Sequence, residues 1–357
     1  MTKTAEKKPG GSVPENAAGP SASVYGLVIN KGAKEATAEG GSTLLEALKD
    51  AGIFIPSACG GQGVCGLCKL KVTAGALPVL PTEELHLSKE ERESNVRLSC
   101  QLKISSDMEI EVSEELLNVR EYKGRVESII DLSHDIKRLR IALPAGEKID
   151  FIPGQYVQIK TSFYKKSIPL VYRAYSVASD PKDHTHIDLV IRLVPGGICT
   201  TYVFEHLKEG QKIKLNGPYG EFRLTDTDKN MIFIAGGSGM APFLSMLAHI
   251  RNENIQRNVT YFFGARSRQD LICLDQMAEF EKALPNFKFF PCLSEPMPDD
   301  NWDGETGLVT DVMSRHCPDL TNMEAYLCGS PGMIDASIAA LTANGMPEEN
   351  IAYDKFS

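Results

Sequence analysis

Apolar and polar positions alternate with a period of two through SVYGLVIN, and the spacing then widens at STLLEALKDAG to that of a helix face. Ser42 or Thr43 caps this predicted helix and Gly52 stops it. Alternation returns in CKLKVTA, VRLSCQLKI and MEIEV, with a charged stretch around Lys89 to Glu93 between the first two. A small sheet crossed by one helix is the β-grasp pattern. From Val119 to Asp228 strands dominate: YKGRVESIIDL, KRLRIAL, QYVQIK, AYSVAS, HIDLVIRLV and QKIKLNG, punctuated by Gly and Pro at the short intervals of an all-β barrel. One helical piece, TTYVFEHLKEG, interrupts them and ends at Gly210.

The last third changes character. MIFIAGG is a continuous apolar run leading into SGMAPFLSMLAHIRNEN, a predicted helix with Pro242 in its first turn. VTYFFGA, FKFFPCL and EAYLCG are further buried strands separated by helical stretches, which predicts an α/β unit with a mostly parallel sheet. The expected fold class is therefore multidomain, α+β and α/β. Its expected parts are a disordered arm at residues 1–22, a β-grasp domain at 23–117, a barrel at 118–228 and a parallel-sheet domain at 229–357.

A chain of 357 residues with 42% hydrophobic and 24% charged residues has the composition of a globular protein of two or three domains. The net charge of −9 argues against nucleic acid as a general partner. Met1 to Pro20 is rich in Gly, Pro, Ala and Lys and has no apolar run, so it is neither a signal peptide nor a membrane span. No other segment approaches the length of an apolar span. A cytoplasmic protein is expected, at most peripheral to a membrane complex. The acidic run Asp107, Glu109, Glu111, Glu114 and Glu115 is either a docking face or a solvated surface.

Nine cysteines sharpen the picture. Five (Cys199, Cys273, Cys292, Cys317 and Cys328) are scattered, as reduced thiols are. The other four, Cys59, Cys65, Cys68 and Cys100, follow the spacing C-x5-C-x2-C-x31-C, with Gly60, Gly61, Gly63 and Gly66 among the first three. Thiolates hold iron–sulfur clusters, and glycines let backbone N–H groups approach the sulfurs. Plant-type ferredoxins have one residue fewer in the first gap. A structural zinc site would more often show two C-x2-C pairs. A Rieske centre needs histidines that are not in place, and a redox dithiol sits at the start of a helix. The expected metal ligands are these four cysteines, holding a [2Fe–2S] cluster.

Three further motifs carry chemistry. In RAYSVAS, Arg173, Tyr175 and Ser176 suit a flavin's phosphate, ring and reactive N5 edge, with Ala174 between them. In GGICTTYVF a glycine turn at Gly197 opens a helix whose free N–H groups suit pyrophosphate. Thr200 and Thr201 add hydroxyl donors there, or simply cap the helix. AGGSGMAPF follows a buried strand, and Gly236, Gly237 and Gly239 permit close approach of a dinucleotide, although the motif is not G-x-G-x-x-G. In LCGSPGM, Cys328 and Gly329 stand at a strand's carboxyl end, facing the ligand crevice of such sheets. Cys328 either contacts a nicotinamide or packs in the core. Phe356 either covers a flavin face or is a frayed terminal aromatic.

These motifs, with LPTEE, GPYGEF, FGARS, DDNWDG and EENIAYDKF, make the chain from Val24 onward resemble the F subunit of sodium-translocating NADH:quinone reductase. That family joins a [2Fe–2S] ferredoxin domain to a ferredoxin-reductase-type FAD and NADH module. The resemblance implies FAD contacts at Arg173, Tyr175, Ser176, Thr200, Thr201 and Phe356. It implies NADH contacts at Gly236, Gly237, Ser238, Gly239, Met240, Arg266 and Cys328. Members begin with a membrane-spanning helix where this chain has a polar arm. The expectation is thus an NADH:acceptor oxidoreductase without an integral membrane segment, passing electrons through FAD and the cluster to a redox protein or quinone. Ser176 and Cys328 are its expected catalytic residues. The alternatives are an oxygenase reductase and an electron-transfer component with no turnover of its own. Asp270 and Asp275 favour NADH, while Arg266 and Arg268 leave NADPH open.

Overall fold

The computed structural model describes residues 23–75 and 77–356 and builds three sheets. The expected disordered arm lies outside the described residues.

The first sheet contains β1 (Val24–Ile29), β2 (Lys34–Glu39), β3 (Lys69–Ala74), β4 (Val96–Leu98) and β5 (Met108–Glu111) in the order β2-β1-β5-β3-β4. Only β1 and β5 run parallel; the other pairs are antiparallel, which is the β-grasp arrangement. Helix α1 (Leu44–Asp50) crosses it, with Thr43 and Glu46 forming a reciprocal capping box. Its Leu44, Ala47 and Leu48 pack on Leu27, Ile29, Leu70, Val72 and Ile110. Short helices α2 (Pro81–Glu84) and α3 (Lys89–Glu93) fill the connection from β3 to β4.

The predicted strand VRLSCQLKI is shorter than expected. Pairing stops at Leu98, and Leu98 O then accepts the amides of Gln101 and Leu102, so Cys100 sits in a turn. A strand would have aimed Ser99 and Cys100 to opposite faces, whereas the turn carries Cys100 back toward the cysteine loop. The acidic run is partly engaged: Asp107 accepts the Gly26 amide at 2.7 Å, and Glu111 pairs with Lys71 at 3.1 Å.

After α4 (Glu114–Asn118) comes an antiparallel sheet. Its strands are β6 (Arg120–Asp131), β7 (Ile136–Ala142), β8 (Tyr156–Lys160), β9 (Tyr172–Ser176), β10 (His186–Arg192) and β11 (Lys212–Tyr219). The order is β10-β7-β6-β11-β8-β9, and a bridge between Val177 and Leu189 ties the last strand to the first, closing a barrel. Alternate residues, among them Leu139, Ile141, Val157, Ile159, Leu189 and Ile191, fill its interior. The helical piece begins and ends earlier than predicted and is wound more widely. Helix α5 (Ile198–Thr201) runs into a π turn over Tyr202–His206, and the chain is extended again at Leu207.

The third sheet is wholly parallel, ordered β15-β14-β13-β12-β16-β17. Its strands are β12 (Asn230–Gly236), β13 (Val259–Ala265), β14 (Phe287–Leu293), β15 (Glu305–Thr306), β16 (Met323–Gly329) and β17 (Ile351–Lys355). Helices α6 (Ala241–Asn252), α7 (Leu274–Ala283), α8 (Val309–His316) and α9 (Pro331–Ala343) lie between them. Met231, Phe233 and Ala235 join one core with α6 and α7, while Ile232 and Ile234 join another with α8 and α9. Both faces being covered explains why MIFIA reads as a continuous apolar run. The chain leaves β12 in one direction to β13 and later returns on its other side as β16. The crevice beyond the carboxyl ends of these strands is therefore where such a sheet binds ligands.

Candidate functional site

The loop from Pro56 to Cys68 has no regular structure, and its glycines hold the left-handed backbone that turns amides inward. The four thiols influence one another's titration as two pairs, Cys59 with Cys65 and Cys68 with Cys100. Cys59 is held well below the ordinary thiol range, first by Cys65 and then, against burial, by the amides of Val64, Cys65 and Gln62. Cys100 is lowered by Cys68 and by the side chain of Gln101 and the Gly63 amide, again against burial. Among the described residues, no three His, Cys, Asp or Glu side chains converge on a single ion. Two thiol pairs ringed by N–H donors fit a binuclear, anionic cluster, in which each iron takes two thiolates.

Gly60 joins this loop to the barrel. Its φ is +69°, and a Cβ there would collide with the Arg173 guanidinium and lie 3.2 Å from the Tyr172 carbonyl. The cysteine loop thus lies directly on β9, the strand that carries Arg173, Ala174, Tyr175 and Ser176. Arg173 donates to the Tyr172 carbonyl at 2.8 Å. Burial pushes the Tyr175 phenol well up, and its hydroxyl meets Cys199 of α5, whose own thiol burial pushes up to about 11.

The glycine turn before α5 is braced from within. The Thr200 hydroxyl donates to the Val194 carbonyl and accepts from its amide, both at 3.2 Å, and a Cβ on Gly197 would fall 2.7 Å from that oxygen. Thr200 thus braces the turn from inside, while Gly197 is the N-cap of α5 and no side chain caps it. Thr201 and Tyr175 are half-buried and stand beside it.

At the parallel sheet, Gly236 ends β12 and a tight turn over Gly237, Ser238, Gly239 and Met240 leads into α6. Gly239 lies against the backbone of Cys328 and the Gly329 Cα, so a side chain there would push β12 and β16 apart. The Met240 and Cys328 side chains are fully buried. Cys328 pairs in register with both Ala235 and Asp354. Arg266, just past the end of β13, is 75% exposed and bonded to Glu295 at 3.0 Å. Phe356 is partly buried against the core, and its amide donates to the Gly329 carbonyl at 2.9 Å, so this aromatic is anchored rather than frayed.

Sequence reasoning missed Asp354. The closing segment IAYDKF forms β17, and its alternation sends Asp354 toward Ser176, whose hydroxyl donates to Asp354 Oδ2 at 3.4 Å. Burial raises the Asp354 pKa against that bond. Tyr156 on β8 was missed as well; burial raises its pKa first, and the charges of Asp354 and Cys65 add to the shift. It pairs in register with Ser176 across β8 and β9. The alternation of IAYDK was the available signal for Asp354. No local pattern announced Tyr156, because its position depends on how the domains meet.

Fold and site define an oxidoreductase with three cofactor modules on one chain. Residues 28–105 match the 2Fe-2S iron-sulfur cluster binding domain, residues 123–224 the oxidoreductase FAD-binding domain, and residues 233–338 the oxidoreductase NAD-binding domain. The chain belongs to the F-subunit family of the Na(+)-translocating NADH-quinone reductases. It is 38% identical to the F subunit of the Neisseria meningitidis serogroup B enzyme, covering 91% of this chain and 90% of the relative. The F subunit of a Marinomonas species is 36% identical over 91% of this chain and 89% of its own. Among solved structures, the Amycolatopsis cytochrome P450 reductase GcoB is 30% identical with a TM-score of 0.74, covering 93% of this chain and 98% of that one. The ferredoxin reductase in carbazole 1,9a-dioxygenase is 25% identical with a TM-score of 0.71, covering 94% and 99%. Among the described residues, no helix is long and apolar enough to cross a membrane.

Proposed function

We propose that this chain is an NADH:acceptor oxidoreductase whose ferredoxin-like domain (23–117), FAD barrel (118–228) and NAD domain (229–357) form one electron path. The observation that carries this reading is the seat of Gly60 against Tyr172 and Arg173, which brings the cluster loop onto the flavin strand. Bound in the barrel, FAD would supply hydride acceptance with release of single electrons, and a cluster on the four cysteines would supply a one-electron carrier.

The chain's own residues supply placement. Cys59, Cys65, Cys68 and Cys100 hold the irons. Arg173 suits the FAD pyrophosphate through its planar donors, and the glycines from Gly236 to Gly239 suit that of NADH. Cys328, buried at the end of β16, would form the floor beneath a nicotinamide, and Ser176 at the end of β9 is tied through Asp354 to the strand beside it. Asp354 accepts from the Ser176 hydroxyl and, because burial raises its pKa, holds its carboxyl proton to a higher pH than an ordinary aspartate does. Arg266 pairs with Glu295 in an exposed ion pair, while the Arg268 guanidinium donates to the main-chain carbonyl of Asp300 and keeps its charge, so the preference for NADH rests on the family rather than on these arginines.

Electrons leave from the side of the cluster loop turned to solvent. Val64 is 63% exposed, Leu85 is 86% exposed, and Leu67 lies between two of the thiols. This apolar rim supports docking of a one-electron acceptor, a redox protein or a quinone. The relatives' name supports a quinone, and the likeness to the carbazole dioxygenase reductase supports an oxygenase partner. A cytoplasmic location, peripheral to any membrane complex, agrees with nine free thiols and no disulfide among the described residues.

The test is an absorption spectrum with iron and sulfide analysis, followed by NADH-dependent reduction of ferricyanide and of a quinone analogue. Flavin and iron bands with turnover are expected. Protein without flavin, or flavoprotein that NADH does not reduce, contradicts the reading.

A further inference from the structure

We propose that Gln101 sets the reduction potential of the iron–sulfur cluster by donating an amide N–H to the Cys100 sulfur, with Thr82 aiming the amide. Gln101 Nε2 lies 3.4 Å from Cys100 Sγ, within reach for a donor to sulfur. The other end of the amide is fixed, since the Thr82 hydroxyl donates to Gln101 Oε1 at 3.2 Å. The ligand sulfur of Cys100 and the Cys100 carbonyl, which also lies 3.4 Å from Nε2, can only accept, so the NH2 end of the amide faces them and Oε1 is left for the Thr82 hydroxyl.

Two features of the chain serve this contact. Gly63 leaves room for it: a Cβ there would stand 2.6 Å from Nε2 and displace the amide. Helix α2 holds Thr82 in place. Pro81 starts that helix, and the wholly buried Glu83 accepts the Leu80 and Leu98 amides at 2.9 Å and pairs with the equally buried Arg97. The LPTEE motif thereby gains a physical role, with Glu83 anchoring the helix and Thr82 presenting its hydroxyl to Gln101.

A reduced cluster carries more negative charge on its sulfurs than an oxidised one. A fixed N–H donor therefore stabilises the reduced form more and raises the potential. Gln101 is a positioning and tuning residue in this scheme; it takes no electron itself.

The inference rests on Cys100 being a ligand. The experiment is a dye-mediated redox titration of the full chain followed by EPR, with iron, sulfide and FAD measured for every variant. Gln101→Leu is expected to lower the cluster potential, cutting the ratio of reduced to oxidised cluster at a fixed poise about tenfold, or about 59 mV for one electron. Thr82→Val, which removes the hydroxyl and keeps the shape, is expected to move it the same way by less. The flavin potential should stay at its original value in both. An unchanged cluster potential in Gln101→Leu with full iron overturns the proposal, as does an equal shift of both cofactors. If Gln101→Leu loses its iron, Thr82→Val decides, and an unmoved potential there is contradiction. Cys100→Ser that keeps a cluster with unaltered EPR overturns the ligand assignment instead, a result distinct from either.

Discussion

The hydroxyl of Ser176 on the barrel meets the carboxylate of Asp354 on the last strand of the parallel sheet at 3.4 Å, linking residues 178 positions apart. Burial raises the Asp354 pKa, so the folded protein binds that proton more tightly than the unfolded chain does. The associated stability is present below the ordinary aspartate range and is lost as pH rises through the raised folded value. Asp354→Asn is expected to remove this decline, giving a higher Tm than the parent at neutral pH and little difference in acid. NADH-to-ferricyanide turnover should fall about tenfold, as expected for loss of an aligned proton-holding partner. Parallel Tm-against-pH curves for the two proteins would show Asp354 to be inert.

Glu83 and Arg97 form an ion pair at 2.5 Å with 0% and 2% of their side chains exposed. Burial pushes the Glu83 carboxyl up, but Arg97 and the Leu80 and Leu98 amides outweigh it and hold the pKa below the usual range. Its stabilisation is present above the ordinary glutamate pKa and drains as pH falls through the lowered folded value. Arg97→Met strands the carboxylate and should cost about 3–5 kcal/mol. Denaturant melts followed through the cluster's visible absorbance check this.

Gly60→Ala places a methyl against Arg173 and Tyr172 and demands a left-handed backbone from alanine, worth about 1–2 kcal/mol of strain. The cluster loop should shift off β9. Rapid mixing with NADH is expected to show unchanged flavin bleaching followed by slower cluster reduction. Equal slowing of both phases would place the contact outside the electron path.

Cys68→Ser removes one ligand of a thiol pair. NADH-to-ferricyanide turnover is expected to persist while transfer to a one-electron protein acceptor falls to background. Loss of both activities would mean that the cluster also holds the fold together.

Local pattern in the sequence carried far in this protein. The capping box at Thr43 and Glu46, the apolar run of β12 and the cysteine spacing all encode their structure within a few residues. What stayed hidden depends on distant neighbours. VRLSCQLKI alternates like a strand throughout, yet the need to bring Cys100 beside Cys68 bends it after Leu98. Asp354 reads as one more acidic residue near the terminus until β17 pairs with β16 and sets it opposite Cys328. Tyr156 and Gly60 gain their roles only where two domains touch. The Thr200 hydroxyl bonds both main-chain groups of Val194, just before the glycine turn, a contact that the spacing of apolar residues does not show.

Electrons entering from NADH should pass through the flavin to the cluster of the same chain, and anaerobic titration of the purified protein with NADH reads that path without a partner. Visible absorbance follows the flavin, and low-temperature EPR follows the cluster. Flavin absorbance is expected to bleach while a reduced [2Fe–2S] signal grows in the same sample. In Cys68→Ser only the flavin bleaching should remain. A flavin that bleaches completely while the cluster of the parent protein stays oxidised contradicts the path.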